Sequence, residues 1–138
     1  MTREVFELWD RAAITLRSAR TLQAQDPNNA VVMAYYAAFY GMSAFFLLAG
    51  QSFSRHQAVE AAVHRDLART GRISMDLAAA YTQLHRLRGM GSYGVGIHVS
   101  PEEAADAIAS ANRILQCIQE MPIPPFPPLF SQSGPTGQ

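Results

Sequence analysis

The chain has 138 residues, with eleven arginines and no lysine balanced by eleven acids, so its formal net charge is zero. That length fits one domain able to bury a core without disulfides or metal, and charge neutrality excludes a global field that would draw the chain to nucleic acid or anionic membrane. The single cysteine, Cys117, excludes an intramolecular disulfide and a multi-cysteine zinc site.

The opening stretch, MTREVFELWD, is charged at once and has no signal-peptide hydrophobic region, so a cytoplasmic location is expected. A first helix is predicted from about Arg3 to Gln25. Val5, Trp9, Ala12, Leu16 and Ala19 alternate spacings of four and three and share one face. The run DPNN then marks a turn.

The second helix is predicted from Asn29 to Ala49, with Gly50 as a left-handed cap. It carries no charge and is long enough to span a bilayer, which takes roughly 20 apolar residues. Burial inside a bundle is the expected outcome. Four amphipathic neighbours need a core, and Tyr35, Tyr36 and Tyr40 would leave their hydroxyls unpaired in lipid. The small residues Ala34, Ala37, Ala38 and Gly41 permit close helix approach, as across a dimer axis.

The third helix is predicted from Ser54, where Ser54-Arg-His-Gln57 has capping-box form, to near Gly71. The fourth runs from near Ser74 to Arg88, with Leu77, Ala80, Leu84 and Leu87 as its apolar stripe. The glycines of Gly89-x-Gly91-x-x-Gly94 follow it. A dinucleotide-binding glycine motif needs a strand before it and a helix opening at its end, so these glycines read as a cap and a flexible connector, with Tyr93 in the loop.

The fifth helix has Ser100 as cap, Pro101 as first residue and Glu103 completing a capping box. Its stripe is Ala104, Ile108, Ala111, Leu115 and Ile118, and Pro122 ends it. Cys117 falls inside this pattern as a small buried hydrophobe. The expected fold class is all-α, an antiparallel bundle of four to five helices over residues 1–120. Residues 121–138 form a proline-rich, partly disordered tail.

Charge is unevenly distributed. Arginines 55, 65, 69, 72, 86 and 88 and histidines 56, 64 and 85 lie in one stretch, opposed only by Glu60, Asp66 and Asp76. Arg88 is suited either to a bidentate phosphate contact or to capping the last carbonyls of its helix. His85, one turn earlier on the face of Tyr81, is expected as a solvated or core-satisfied histidine, the other reading being a proton shuttle beside Arg88. Tyr93 reads either as a phosphate- or base-contacting hydroxyl or as an aromatic plug. A structural hydrogen bond is expected at His56. The four histidines are scattered and no metal-binding or cofactor motif is present, so no cofactor is expected.

Four segments taken in order resemble the HEPN superfamily, in particular its small branch whose genes often neighbour a minimal nucleotidyltransferase. They are AYYAAFYGMSAFFLLAG, SRHQAVEAAVHRDLARTGRI, LHRLRGMGSYG and VSPEEAADAIASANRIL, and the resemblance spans about residues 5–120. It implies an all-α homodimer in a toxin–antitoxin or defence module. Many such proteins are metal-independent ribonucleases, with an arginine and a histidine spaced R-x4–6-H meeting at the dimer interface. The partner nucleotidyltransferase adenylylates a tyrosine beside that motif in some cases, which here makes Tyr93 the acceptor. This chain departs from that pattern, since no arginine has a histidine five to seven residues later. Tyr93 stands at the fifth position after Arg88, Ser92 replaces the branch's aspartate, and Met33 replaces an arginine before the YYA motif. Two functions stay open from the sequence: a ribonuclease that uses Arg88 with Tyr93 or His85, and a non-catalytic binding partner of a nucleotidyltransferase or dimeric scaffold.

Overall fold

A computed structural model describes residues 2–93 and 96–121, the side chains of Ser92 and Tyr93 excepted. Residues 122–138 of the tail and residues 94–95 lie outside the described residues. Five α-helices follow in order: α1 Arg3–Leu22, α2 Pro27–Leu48, α3 His56–Ala62, α4 Met75–Tyr93 and α5 Pro101–Glu120. A π turn over Val63–Ala68 prolongs α3. No strand occurs among the described residues.

Local sequence explains most helix ends. In α1, the Thr2 hydroxyl accepts from the Val5 amide at 3.3 Å, and Val5, Trp9, Ala12, Leu16 and Ala19 are all buried as the stripe requires. In α5, the Ser100 hydroxyl accepts from the Glu103 amide at 3.0 Å. The Glu103 carboxylate returns the bond to the Ser100 amide at 2.8 Å, so the capping box is complete. At the end of α2, Gly50 adopts φ 87°. Its amide donates to Leu47 and that of Gln51 to Phe46, closing the helix in the Schellman pattern.

Three sequence expectations need correction here. DPNN starts α2 instead of interrupting the chain: Asp26 is the cap, its carboxylate accepts from the Asn29 amide, and Pro27 occupies the first turn. The proposed box at Ser54 and Gln57 does not form. Arg55 precedes α3, with no side-chain cap bond. The fourth helix does not stop at Arg88 but continues through Gly89 and Gly91 to Tyr93.

The reason for that last difference is tertiary. A Cβ on Gly91 would lie 2.5 Å from the Asn28 carbonyl oxygen and 2.9 Å from Val32 Cγ2. The glycine lets the last turn of α4 pass against the first turn of α2, and the packing keeps the chain helical. Asn28 also holds the segment that follows. Its side chain donates to the Ile97 carbonyl at 3.1 Å and accepts from the Val99 amide at 3.1 Å.

Helix α2 is the centre of the bundle and packs on α1, α4 and α5. It is apolar and long enough to cross a membrane, yet 61% of its most apolar 18-residue window is buried within the chain, which makes it the core helix. Trp9 and Leu115 meet it at Gly41, and Gly91 meets it at Asn28. These contacts run α1 and α4 antiparallel to α2, and α5 parallel to it. Ala34, Ala37 and Ala38 are fully buried inside this single chain. A Cβ on Gly41 would collide with the Leu115 side chain. The small residues therefore serve helix packing within the monomer, not a dimer axis. Cys117 is half-buried at the edge of the core.

The apolar face of α4 also differs from expectation. Leu84 is buried, but Leu77, Ala80 and Leu87 are half-covered; Ala80, Leu84 and Leu87 border a groove shared with α5. The side turned to α2 carries Ala78 and Tyr81, both fully buried, and then His85 and Arg88. The tyrosines of α2 face this polar side of α4.

Candidate functional site

Three helices supply one polar cluster. The YY pair of α2 places Tyr35 inward and leaves Tyr36 half-covered, because adjacent helical positions differ by about 100°. The first residue of α3 is His56, and Glu60 follows one turn later. Helix α4 contributes Tyr81, His85 and Arg88, which lie four and three residues apart and so share a face.

His56 Nδ1 lies 2.6 Å from the Tyr35 hydroxyl, and its ring stacks on Phe39 at 4.3 Å between centroids. The structural hydrogen bond expected at His56 is present, but it sits inside the cluster. His85 stacks on the Tyr35 ring at 4.9 Å with planes 13° apart. His85 Nδ1 meets Glu60 Oε1 at 2.6 Å. The two imidazole centroids are 6.0 Å apart. Arg88 donates to the Tyr36 hydroxyl at 3.4 Å and lies 5.8 Å from the centre of that ring, within cation–π range.

The electrostatics assign protonation states. Partial burial holds His56 below the usual histidine range, and the nearby Arg88 and His85 push it the same way. Burial keeps the Tyr35 and Tyr81 phenols protonated far above neutral pH. Neither phenol is therefore a base at neutral pH. With Tyr35 as the donor to His56 Nδ1, the neutral ring keeps Nε2–H as its remaining donor. At His85, an ionised Glu60 only accepts. The Nδ1 proton therefore belongs to His85 and points at Glu60, and Nε2 is left as the nitrogen able to take a proton. The His85 and Glu60 side chains are 17% and 25% exposed, so the pair is sheltered yet reachable. They share a surface depression of about 290 Å³ with Thr82 and Arg86.

Of the residues singled out in the sequence, His85 and Arg88 come together on α4. Tyr93 ends that helix, about 7.5 Å along the axis from Arg88 at 1.5 Å per residue, and is not in a loop; its side chain lies outside the described residues. Sequence reasoning passed over Glu60 and gave His56 no part in the chemistry. A local signal for Glu60 existed in its spacing: Glu60 and His64 are four apart on one helix, and Thr82 and His85 three apart on another. Nothing in either spacing says that the two helices face each other. Among the described residues, no group of three or more His, Cys, Asp or Glu side chains is arranged to hold a metal ion.

The class of protein is thus an all-α bundle whose core helix presents tyrosines to two imidazoles, a carboxylate and a guanidinium. A family model for the HEPN domain matches residues 5–121. The chain is 33% identical over 120 residues to a UPF0332 protein of Thermotoga maritima, a match covering 86% of this chain and 91% of that one. It is 32% identical over 122 residues to a UPF0332 protein of Gloeobacter violaceus, covering 87% of this chain and 97% of that one. The chain belongs to the HEPN domain family.

Proposed function

We propose that this HEPN protein is a metal-independent endoribonuclease of a toxin–antitoxin or defence module, acting in the cytoplasm on RNA. The observation that carries the reading is the meeting of His85, polarised by Glu60, with His56 and Arg88 at one place on the bundle. In this reading His85 substitutes for the histidine missing downstream of Arg88. It lies one turn upstream on the same helix.

The chemistry is an internal phosphoryl transfer. Arg88 holds the scissile phosphate and offsets charge building on its oxygens. His85 Nε2 takes the proton from the ribose 2′-hydroxyl. The 2′-oxygen attacks phosphorus and the P–O5′ bond breaks. The 5′-oxygen takes a proton from water, and a 2′,3′-cyclic phosphate remains. Neutral His56 offers its Nε2–H to a phosphoryl oxygen without adding charge.

A homodimer belongs to this reading. Met33, Tyr36, Tyr40, Ser43 and Leu47 follow one another at helical spacing on α2 and are all only half-covered, which leaves a face beside the cluster for a second copy. The test is RNA cleavage in excess chelator by wild type, His85→Ala, Glu60→Ala and Arg88→Ala. Loss of general-base catalysis costs about 10²- to 10⁴-fold. Cleavage that is equal in all four proteins would refute the site.

A second reading is favoured by one feature, the arginine–spacer–tyrosine–glycine run from Arg88 to Gly94 with no histidine after the arginine. In it the bundle is a non-catalytic partner of a nucleotidyltransferase and Tyr93 is the adenylylation acceptor. Co-purification with such an enzyme and a mass increase of one AMP that Tyr93→Phe abolishes would support it.

A further inference from the structure

Behind the His85–Glu60 contact lies a second layer of bonds. The Thr82 hydroxyl donates to Glu60 Oε2 at 2.9 Å. His64 Nε2 lies 2.7 Å from the same hydroxyl oxygen. The directions of these bonds follow from proton counting. A threonine hydroxyl has one hydrogen, and an ionised carboxylate can only accept. Thr82 therefore spends its hydrogen on Glu60 and must accept from His64, which fixes the His64 proton on Nε2. Glu60 then has one oxygen taken by Thr82 and the other by His85 Nδ1–H.

The chain of donors runs in one direction on each side of the carboxylate: His64 to Thr82 to Glu60, and His85 to Glu60. Without Thr82, a glutamate side chain has three rotatable bonds and no second anchor. With it, the carboxylate is held at both oxygens, and the imidazole it faces is also clamped flat against Tyr35. The four residues come in two pairs, Glu60 with His64 and Thr82 with His85. Each pair projects from one helical segment at a spacing that brings both members to the same face.

We infer that Thr82 and His64 are positioning residues. Through Glu60 they hold His85 as the Nδ1–H tautomer and keep Nε2 free to accept a proton. Partners of this kind orient an imidazole and set its tautomer. That the freed nitrogen takes a ribose proton rests on the ribonuclease reading above; the tautomer and its dependence on Thr82 do not.

The test is long-range ¹H–¹⁵N NMR of the histidine rings in the full chain, on wild type, Thr82→Val, Thr82→Ser and His64→Leu. The dispersion of the amide spectrum confirms that each variant is folded. In wild type, His85 is expected as Nδ1–H and His64 as Nε2–H. Thr82→Val and His64→Leu are expected to move His85 towards the Nε2–H form, and Thr82→Ser to restore it. In cleavage assays, Thr82→Val is expected to lower kcat by about 10- to 100-fold, with KM nearly unchanged. An Nε2–H tautomer of His85 in wild type would overturn the inference. So would a Thr82→Val protein whose His85 is indistinguishable from wild type. If the tautomers are as stated but wild type cleaves no RNA, the network stands and the ribonuclease reading falls.

Discussion

Two neighbouring glycines of α4 give opposite expectations for the same substitution. Gly89 has nothing within 4 Å of where a Cβ would stand, while at Gly91 that atom would lie 2.5 Å from the Asn28 carbonyl oxygen, 2.9 Å from Val32 and 3.0 Å from Val31. Replacing a helical glycine by alanine stabilises by about 0.8–1 kcal/mol where space is free. Gly89→Ala should gain that amount, or roughly 3 °C in Tm for a chain of this size. At Gly91 the same gain is opposed by overpacking against backbone, which cannot rotate away and costs about 1–3 kcal/mol. The difference between the two variants cancels the propensity and isolates the contact. It should be about 1–3 kcal/mol, with Gly89→Ala the more stable. Thermal and urea denaturation of both proteins measure it, and an unchanged m value would show that two-state comparison holds. If both alanines raise Tm equally, α4 does not pass against α2 at Asn28, and the end of the helix is not held by tertiary packing.

Other consequences follow from the same geometry. Tyr35→Phe removes the partner of His56 Nδ1 and should cost about 1–2 kcal/mol, read by denaturation. Because Arg88 is among the groups holding His56 below its usual range, Arg88→Gln should raise the His56 pKa in an NMR titration. A histidine whose folded pKa is depressed binds fewer protons than in the unfolded chain. Its contribution to stability is therefore full above the ordinary value near 6.5 and is lost as pH falls through that value towards the folded one. Acid unfolding curves should show this slope, and His56→Gln should flatten it. Asn28→Ala loses two bonds to the segment before α5 and should lower stability by about 1–3 kcal/mol while speeding hydrogen exchange at the Val99 amide.

Helices whose limits are set by neighbours in sequence were legible in advance. The signals that start α5 act within one turn, and Ser100, Pro101 and Glu103 do what their order implies. The stripe of α1 and the burial of the uncharged α2 follow from periodicity and composition alone. The limit of α4 was misread because two glycines in three residues resemble a stop when propensity is the only guide. Contact with Asn28 and Val32 reverses that preference. Ser54 and Gln57 show the converse, a correct local pattern that the chain does not use.

The candidate site divides in the same way. Arg88 and His85 were visible because they lie one turn apart on a helix and a guanidinium beside an imidazole is a recognisable chemistry. Glu60 was not, since it is 25 residues from the histidine it orients. Nor was the bond between Arg88 and Tyr36, which are separated by 52 residues. Hydrophobic period, capping and the absence of charge in α2 act locally, so the sequence by itself determined the number of helices, the buried stripes of α1 and α5 and the bundle. Which imidazole meets which carboxylate depends on how α3 and α4 sit against the tyrosines of α2. That choice is made by packing between distant segments, and only the tertiary structure decided it.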